Sequence, residues 1–130
     1  MWPYLEAICA RPWTGIYLRV LAVIMAWGAI VHYGNLLGFG EKPFSEAPLA
    51  WKLGDIFYAV VNTLAVIGLW QRSPWGLLLF LAAVGSQFVI YTVFIDHFAL
   101  TAEHRKAIHG LLWLEGGLVA GLVVLAILRR

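Results

Sequence analysis

A glutamate lies near the centre of a stretch that is otherwise apolar enough for lipid. The stretch is LLWLEGGLVAGL, residues 111–122, and the glutamate is Glu115. A carboxylate inside a bilayer costs free energy unless it is protonated, paired or hydrated. Glu115 is therefore a candidate for taking up and releasing a proton, with an interhelical hydrogen bond as the structural alternative.

Seven other polar side chains interrupt the apolar runs, and each needs a partner in lipid. They are Arg19, His32, Asn35, Asp55, Asn62, Gln87 and His109. Helical spacing groups most of them, with neighbours, into three faces: Gly28, His32 and Asn35; Asp55, Tyr58 and Asn62; Ala83, Gln87 and Tyr91. We expect these three faces to converge in the interior of a bundle.

Glu115 and Asn62 are the strongest candidates, because both lie close to the middle of their apolar runs. The predicted ligand or proton site comprises Glu115, Asn62, Asp55, His32, Gln87 and His109. Asp55 lies nearer a run end and is expected to pair with Lys52, whereas Arg19 is expected to reach the headgroups. His109 and Glu115 are six residues apart, so at most one of them points straight at a bundle axis.

Conventional enzymatic and metal motifs are not found in the chain. Metal-ligand residue types cluster only at Asp96, His97, Glu103, His104 and His109, without the i, i+4 histidine pair of a zinc-binding helix. His32 with His109 is the one histidine pair at similar depth that could ligate haem. There is no nucleophile elbow or phosphate-binding loop, and Cys9 is the lone cysteine. We therefore predict neither a metal site nor a hydrolytic enzyme.

Composition defines the elements that must position these side chains. Of the 130 residues, 62% are hydrophobic and 12% are charged, about half the charged share of an average soluble protein. Four runs reach the length of about 20 residues that a transmembrane helix needs: 14–37, 51–70, 74–95 and 108–128. The sequence therefore predicts an all-α, integral membrane four-helix bundle, a single transmembrane domain over residues 1–130.

Local signals support these boundaries. Pro74 suits the first turn of the third helix, where its missing N–H is not needed. Thr101 suits the N-cap of a fourth helix that begins before the membrane, with Glu103 near the positive end of its dipole. Gly117 and Gly121, like Gly116 and Ala120, form small-xxx-small pairs, which serve either packing inside the bundle or a homodimer.

The order of these parts resembles the DoxX-like group of small four-helix bacterial membrane proteins. The resemblance runs from about Tyr17 to Ile95, through YLRVLAV, GFGEKP, GDIFYAVVNTLAVIGLW and QRSPWG. It implies a bacterial inner-membrane location and, for some members, an association with quinone-linked oxidation of sulfur compounds or with oxidative-stress assemblies. Asp55 would correspond to the acidic residue of that family's second helix.

Two functional hypotheses follow from the sequence. The favoured one is a non-catalytic membrane subunit that binds a partner, with a quinone or another lipophilic ligand in a polar pocket. The alternative is a small proton-coupled transporter or channel, acting as a homo-oligomer, with Glu115 as proton carrier. The arginine distribution favours both termini in the cytoplasm. A net charge of +2 without a basic run argues against a nucleic-acid partner.

Overall fold

The computed structural model describes all 130 residues and is helical, without strands. Its α-helices are α1 Trp2–Ala10, α2 Pro12–Leu36, α3 Leu49–Trp70, α4 Pro74–Val93 and α5 Ala102–Ile127. Short 3₁₀ turns at Phe44–Glu46 and Ile95–His97 lie in the connections before α3 and before α5.

Four of these helices, α2 to α5, are long and apolar enough to cross a membrane. Only 24 of the 130 residues are buried, and many large apolar side chains, such as Trp27 and Trp113, are exposed. Such a surface suits lipid rather than water. The predicted four-helix transmembrane bundle is therefore confirmed, and the chain is a small multi-pass membrane protein.

The helix ends follow the sequence signals closely. Pro74 occupies the first turn of α4, and the Ser73 side chain accepts a hydrogen bond from the Gly76 N–H. The Thr101 side chain accepts from the His104 N–H at 3.1 Å, and Glu103 lies in the first turn of α5. Before the first span, residues 2–10 form helix α1, which the apolar runs did not predict.

The four spans form a ring in which α3 packs between α2 and α4, and α5 contacts α2 and α4. The end that holds residues 1–13, 71–73 and 128–130 is called the terminal face. The opposite end, with connections 37–48 and 94–101, is called the loop face. Consecutive spans alternate in direction, so α2 and α4 run from the terminal face to the loop face.

The closest helix pairing joins α3 and α4 through two glycines. A Cβ atom on Gly68 would overlap the Gly76 backbone, and one on Gly76 would overlap the backbone of Gly68 and Leu69. The tight turn at residues 71–73 brings these backbones together, with the Ser73 hydroxyl donating to the Gly68 carbonyl at 2.8 Å. This contact leaves no room for a side chain at either glycine.

Arg72 fastens α1 to the terminal face. Its backbone adopts a φ of 56°, and its guanidinium donates to the carbonyls of Cys9, Ala10 and Arg11 at 2.7–3.2 Å. The Cys9 and Ala10 carbonyls belong to the end of α1, where no further turn can satisfy them, whereas the Arg11 carbonyl also accepts from the Gly15 N–H of α2. A guanidinium carries several donors in one plane and so caps them together.

The apolar core occupies the half of the bundle next to the terminal face. Its most deeply buried large side chains are Leu18 and Leu21 of α2, Leu69 of α3, and Phe80 of α4. The buried Asn62, Gln87 and Glu115 lie farther along the bundle. The interior is therefore apolar toward the terminal face and polar toward the loop face.

Alanine at Gly68 or Gly76 is expected to destabilise the protein by about 1–3 kcal/mol, because an added methyl group overpacks the α3–α4 contact. A thermal denaturation series in detergent, monitored by size-exclusion chromatography, measures this effect. Gly85→Ala is the matched control in α4, since nothing lies within 4 Å of a Cβ at that position. Equal melting temperatures for all three variants and the parent would contradict the contact.

Cys9 reports on the attachment of α1. Its thiol is buried, and burial raises the pKa of the thiol while the Arg72 charge opposes that shift. Because the thiolate is the reactive form, maleimide labelling at neutral pH should be slow. In Arg72→Ala, α1 loses hydrogen bonds to a charged donor that contribute about 1.5–3 kcal/mol each. Because α1 then detaches more often and exposes the Cys9 thiol, labelling should accelerate by about tenfold or more.

Arg129→Ala is the control for this measurement, because Arg129 is exposed at the same face and shares the left-handed backbone conformation of Arg72. Its labelling rate should match that of the parent. An Arg72→Ala rate equal to the parent rate would show that α1 is held by other contacts.

Candidate functional site

Asp55 of α3 is the centre of a polar cluster in the loop-face half. Its carboxyl oxygen lies 2.8 Å from the His32 Nδ1 atom and accepts a hydrogen bond from the Asn35 amide at 3.0 Å. The predicted pairing with Lys52 is wrong, because the Lys52 ammonium group donates to the Ser45 carbonyl at 3.2 Å. Lys52 follows the surface of α3 toward the connection, whereas Asp55 faces α2.

Tyr58 lies one helical turn from Asp55 and completes this cluster. Its ring stacks on the His32 imidazole with 5.6 Å between centroids, and its hydroxyl lies 2.8 Å from the Ser86 hydroxyl. Ser86 in turn donates to the Ala83 carbonyl within α4. The His32 ring is thus held by Asp55 at its edge and by Tyr58 on its face.

Glu115 and Gln87 face each other across the α4–α5 interface near the middle of the spans. With the Gln87 amide nitrogen turned toward α5, that amide donates to the Glu115 carboxyl group; such amide orientations are assigned from the hydrogen-bond network. Both side chains are buried. Two residues of the predicted site are therefore in direct contact, one through a carboxyl group and the other through an amide.

Asn62 lies in the same region, and its side-chain oxygen is buried without a hydrogen-bond partner. The residue is 4% exposed. Gly28 of α2 makes room for the amide, since a Cβ at Gly28 would lie 3.1 Å from the Asn62 nitrogen. A buried carbonyl oxygen without a donor costs free energy, so this position favours a ligand or water that can donate to it.

A cavity of about 300 Å³ joins these side chains and is called the mid-membrane cavity. Its polar lining consists of His32, Asn62, Gln87, Tyr91 and Glu115. Most of the remaining wall is apolar and comes from α2, α4 and α5. Trp27 and Leu114 line the cavity and are also more than half exposed, so the cavity has an edge at the lipid-facing surface.

Contacts of α5 with the other helices border the cavity on both sides of the Glu115–Gln87 pair. Toward the terminal face, the Tyr17 hydroxyl donates to the Leu118 carbonyl at 2.7 Å, and Gly121 leaves room for the Tyr17 ring. Toward the loop face, His104 packs edge-on against Trp51 and lies 2.6 Å from the Glu41 carboxyl group. Between these ends, Leu112 and Glu115 are the only buried residues of α5.

Two smaller cavities continue toward the loop face. The loop-side cavity, about 180 Å³, shares His32 and Tyr91 with the mid-membrane cavity. The surface cavity, about 240 Å³, shares Asn35, Trp51 and Asp55 with the loop-side cavity. Three neighbouring cavities, each sharing polar lining residues with the next, therefore lie between the α2–α3 connection and Glu115.

His109 does not join the other predicted site residues. It is exposed and lines a separate groove of about 500 Å³ between α4 and α5, with Phe88 and Trp113. The predicted haem pair of His32 and His109 is therefore not formed, because His32 contacts Asp55 inside the bundle. No group of three or more histidine, cysteine, aspartate or glutamate side chains could hold a metal ion.

Two residues that shape the site were not predicted as part of it. Trp51 begins the second apolar run, and its indole donates to the Phe98 carbonyl at 3.1 Å and lines the loop-side cavity. Tyr91 was placed on a polar face but not in the site, although it lines both inner cavities. Its spacing of four residues from Gln87 was the available signal.

Comparisons with curated proteins and with solved structures each gave no match. No match to the DoxX-like group was found either. A model of a protein family does match, over residues 13–128, which include all four spans. The chain therefore belongs to the family of unknown function DUF6163.

Proposed function

We propose that this protein is a non-catalytic membrane subunit that binds a lipophilic hydroquinone or quinone in the mid-membrane cavity. The observation that carries the proposal is the buried Asn62 side chain, which lines a mostly apolar cavity and whose oxygen has no hydrogen-bond partner. An acceptor without a donor favours a ligand with a hydroxyl group, and the reduced, hydroquinone form has two.

The shape of the cavity supports a ligand that arrives from the lipid. A volume of about 300 Å³ is at the lower end of small-molecule pockets and suits a ring-sized headgroup. The edge between Trp27 and Leu114 would let an apolar tail remain among the lipid chains. Gln87 and Glu115 would supply further hydrogen bonds to the polar atoms of the ring.

The membrane and its orientation are part of the proposal. A bacterial inner membrane is the location that the DoxX-like resemblance implies. Arg11, Arg72, Arg129 and Arg130 lie at the terminal face, and the positive-inside rule then places that face, with both termini, in the cytoplasm. The site would open toward the outer side of the membrane. The DoxX-like resemblance itself remains a prediction.

A proton-coupled transporter acting as a homo-oligomer is the second candidate. It is favoured by the three successive cavities that lead from the loop face to Glu115. A transporter must also expose its site to the opposite face, and the packed core around Leu69 and Phe80 lies in that direction. Transport would therefore require rearrangement of the apolar half, which a binding subunit would not.

A hydroquinone analogue should bind more tightly than the matching quinone by about twofold to tenfold, the effect of one hydrogen bond of about 0.5–1.5 kcal/mol. Quenching of tryptophan fluorescence in nanodiscs under reducing and oxidising conditions measures both affinities. Asn62→Leu should abolish the preference for the reduced form, because the unsatisfied acceptor is removed.

Two controls separate this effect from general damage. Gln71→Leu removes an amide at the exposed α3–α4 turn and should retain the preference. Gly28→Leu should block the cavity that Gly28 lines, whereas Gly34→Leu has open space for its side chain and should bind normally. Equal affinities for the two redox forms in the parent protein would count against a hydroquinone.

Native mass spectrometry of the protein, extracted gently from its own membrane, should reveal a second polypeptide or a bound quinone-type molecule. An absorbance spectrum of the same sample would identify an oxidisable ring. A ligand-free homo-oligomer would instead favour the transporter. Glu115→Gln would then be expected to change substrate flux and its pH dependence in liposomes.

A further inference from the structure

We infer that His32, held by Asp55, relays protons between Glu115 and the water at the loop face, and that the terminal face is closed to this exchange. The inference concerns which aqueous phase supplies the proton. It goes beyond ligand binding, because it applies equally to a cavity without a ligand. It rests on the order of cavities, on the contacts of His32 and on the packing at the closed end.

The order of cavities provides the route. Asp55 lines both the surface cavity and the loop-side cavity, and His32 lines both the loop-side cavity and the mid-membrane cavity. Each boundary between cavities thus carries a titratable side chain. A polar space of about 180 Å³ exceeds the volume that a water molecule needs, so water can bridge between these groups.

The contacts of His32 suit a relay. With the proton on Nδ1 donated to the Asp55 carboxylate, the second ring nitrogen is free to accept a proton. That nitrogen takes a proton from water in the loop-side cavity and forms an imidazolium, which the Asp55 carboxylate stabilises. Loss of the same nitrogen's proton through water to the Glu115 carboxylate restores the neutral ring and leaves a carboxylic acid.

The net change is the movement of one proton from water to Glu115, and the reverse sequence releases it. No electron or further reactant is required. Asn35 supports the cycle by donating a second hydrogen bond to Asp55. Tyr58 keeps the ring plane fixed by stacking against it, so that the ring can exchange protons without leaving its position.

The charges around the route are few, and each can be named. Gln87 and Tyr91 from α4, Asn62 from α3 and His32 from α2 share the mid-membrane cavity with Glu115. Lys42 and Glu41 line the surface cavity at its outer end. Neither inner cavity is lined by a lysine or an arginine.

The terminal half of the bundle blocks proton movement between Glu115 and the terminal face. Leu18, Leu21 and Leu69 have no exposed surface, and Phe80, which lines the inner end of the mid-membrane cavity, is 1% exposed. These side chains offer neither donors nor acceptors. A proton on Glu115 would have to cross this core to reach the terminal face, so exchange with that face should be far slower.

Infrared spectroscopy tests the relay through the C=O stretch of the protonated Glu115 carboxyl group, which Glu115→Gln identifies by its loss. The protein is placed in nanodiscs without ligand, at a pH acid enough to populate this band, and transferred to D2O. His32→Ala and Asp55→Asn should each slow hydrogen–deuterium exchange of the Glu115 carboxyl group by at least about tenfold. This factor is smaller than the rate gain of about 10²–10⁴ that a positioned proton-transfer group gives in catalysis.

Two further measurements keep the result specific. His109→Ala and Asp96→Asn change the same residue types at exposed positions and should exchange at the parent rate. Added imidazole should restore exchange in His32→Ala, which a merely structural role of His32 would not allow. Parent-like exchange in His32→Ala, or slow exchange that imidazole leaves unchanged, would overturn the relay.

Sealed vesicles test the sidedness. After an external pH step, the fraction of the carboxyl band that responds rapidly should equal the fraction of molecules whose loop face points outward. Protease removal of a tag at the C terminus measures that orientation independently. A rapid response in molecules whose terminal face points outward would refute the closed end. Because no quinone is added, these outcomes are independent of whether the protein binds one.

Discussion

The attachment of α5 at its two ends is the constraint on which the site depends. If α5 packed along its whole length, Glu115 would press against α2 and α3 and no cavity would remain. Instead Tyr17 holds it near the terminal face, and His104 holds it near the loop face. Between these two contacts α5 meets α4 through Glu115 and Gln87, and side chains of α2, α4 and α5 enclose the mid-membrane cavity around that pair.

The interior is divided into an apolar half and a polar half because the bilayer offers no hydrogen-bond partners to polar side chains. Each buried polar group in a bilayer needs a partner within the protein, so the polar side chains gather where they can satisfy one another. Asp55 finds two donors on α2, and Glu115 finds Gln87 on α4. Asn62 is the exception, because its buried side-chain oxygen has no hydrogen-bond partner.

Much of the fold could be predicted from the sequence, because span length, Pro74 and Thr101 act locally and need no knowledge of the neighbouring helices. The partners inside the bundle could not. Lys52 is near Asp55 along the chain, but tertiary packing turned Asp55 toward His32 instead. Likewise, Gly121 faces Tyr17 while Gly117 faces outward, a choice that helix rotation decides and that the small-xxx-small pattern alone does not contain.

The glycine contact between α3 and α4 has a consequence for how the protein is made. Those helices are joined by a tight turn and can pack as soon as both have left the translocon, whereas Glu115 emerges later within α5. Its carboxyl group then enters a bilayer that already contains Gln87 and the other polar side chains of α2 to α4. The earlier spans thus offer Glu115 a hydrogen-bond partner when α5 inserts. The contact with Gln87 lowers the free-energy cost of the carboxyl group in lipid and favours the position at which α5 docks.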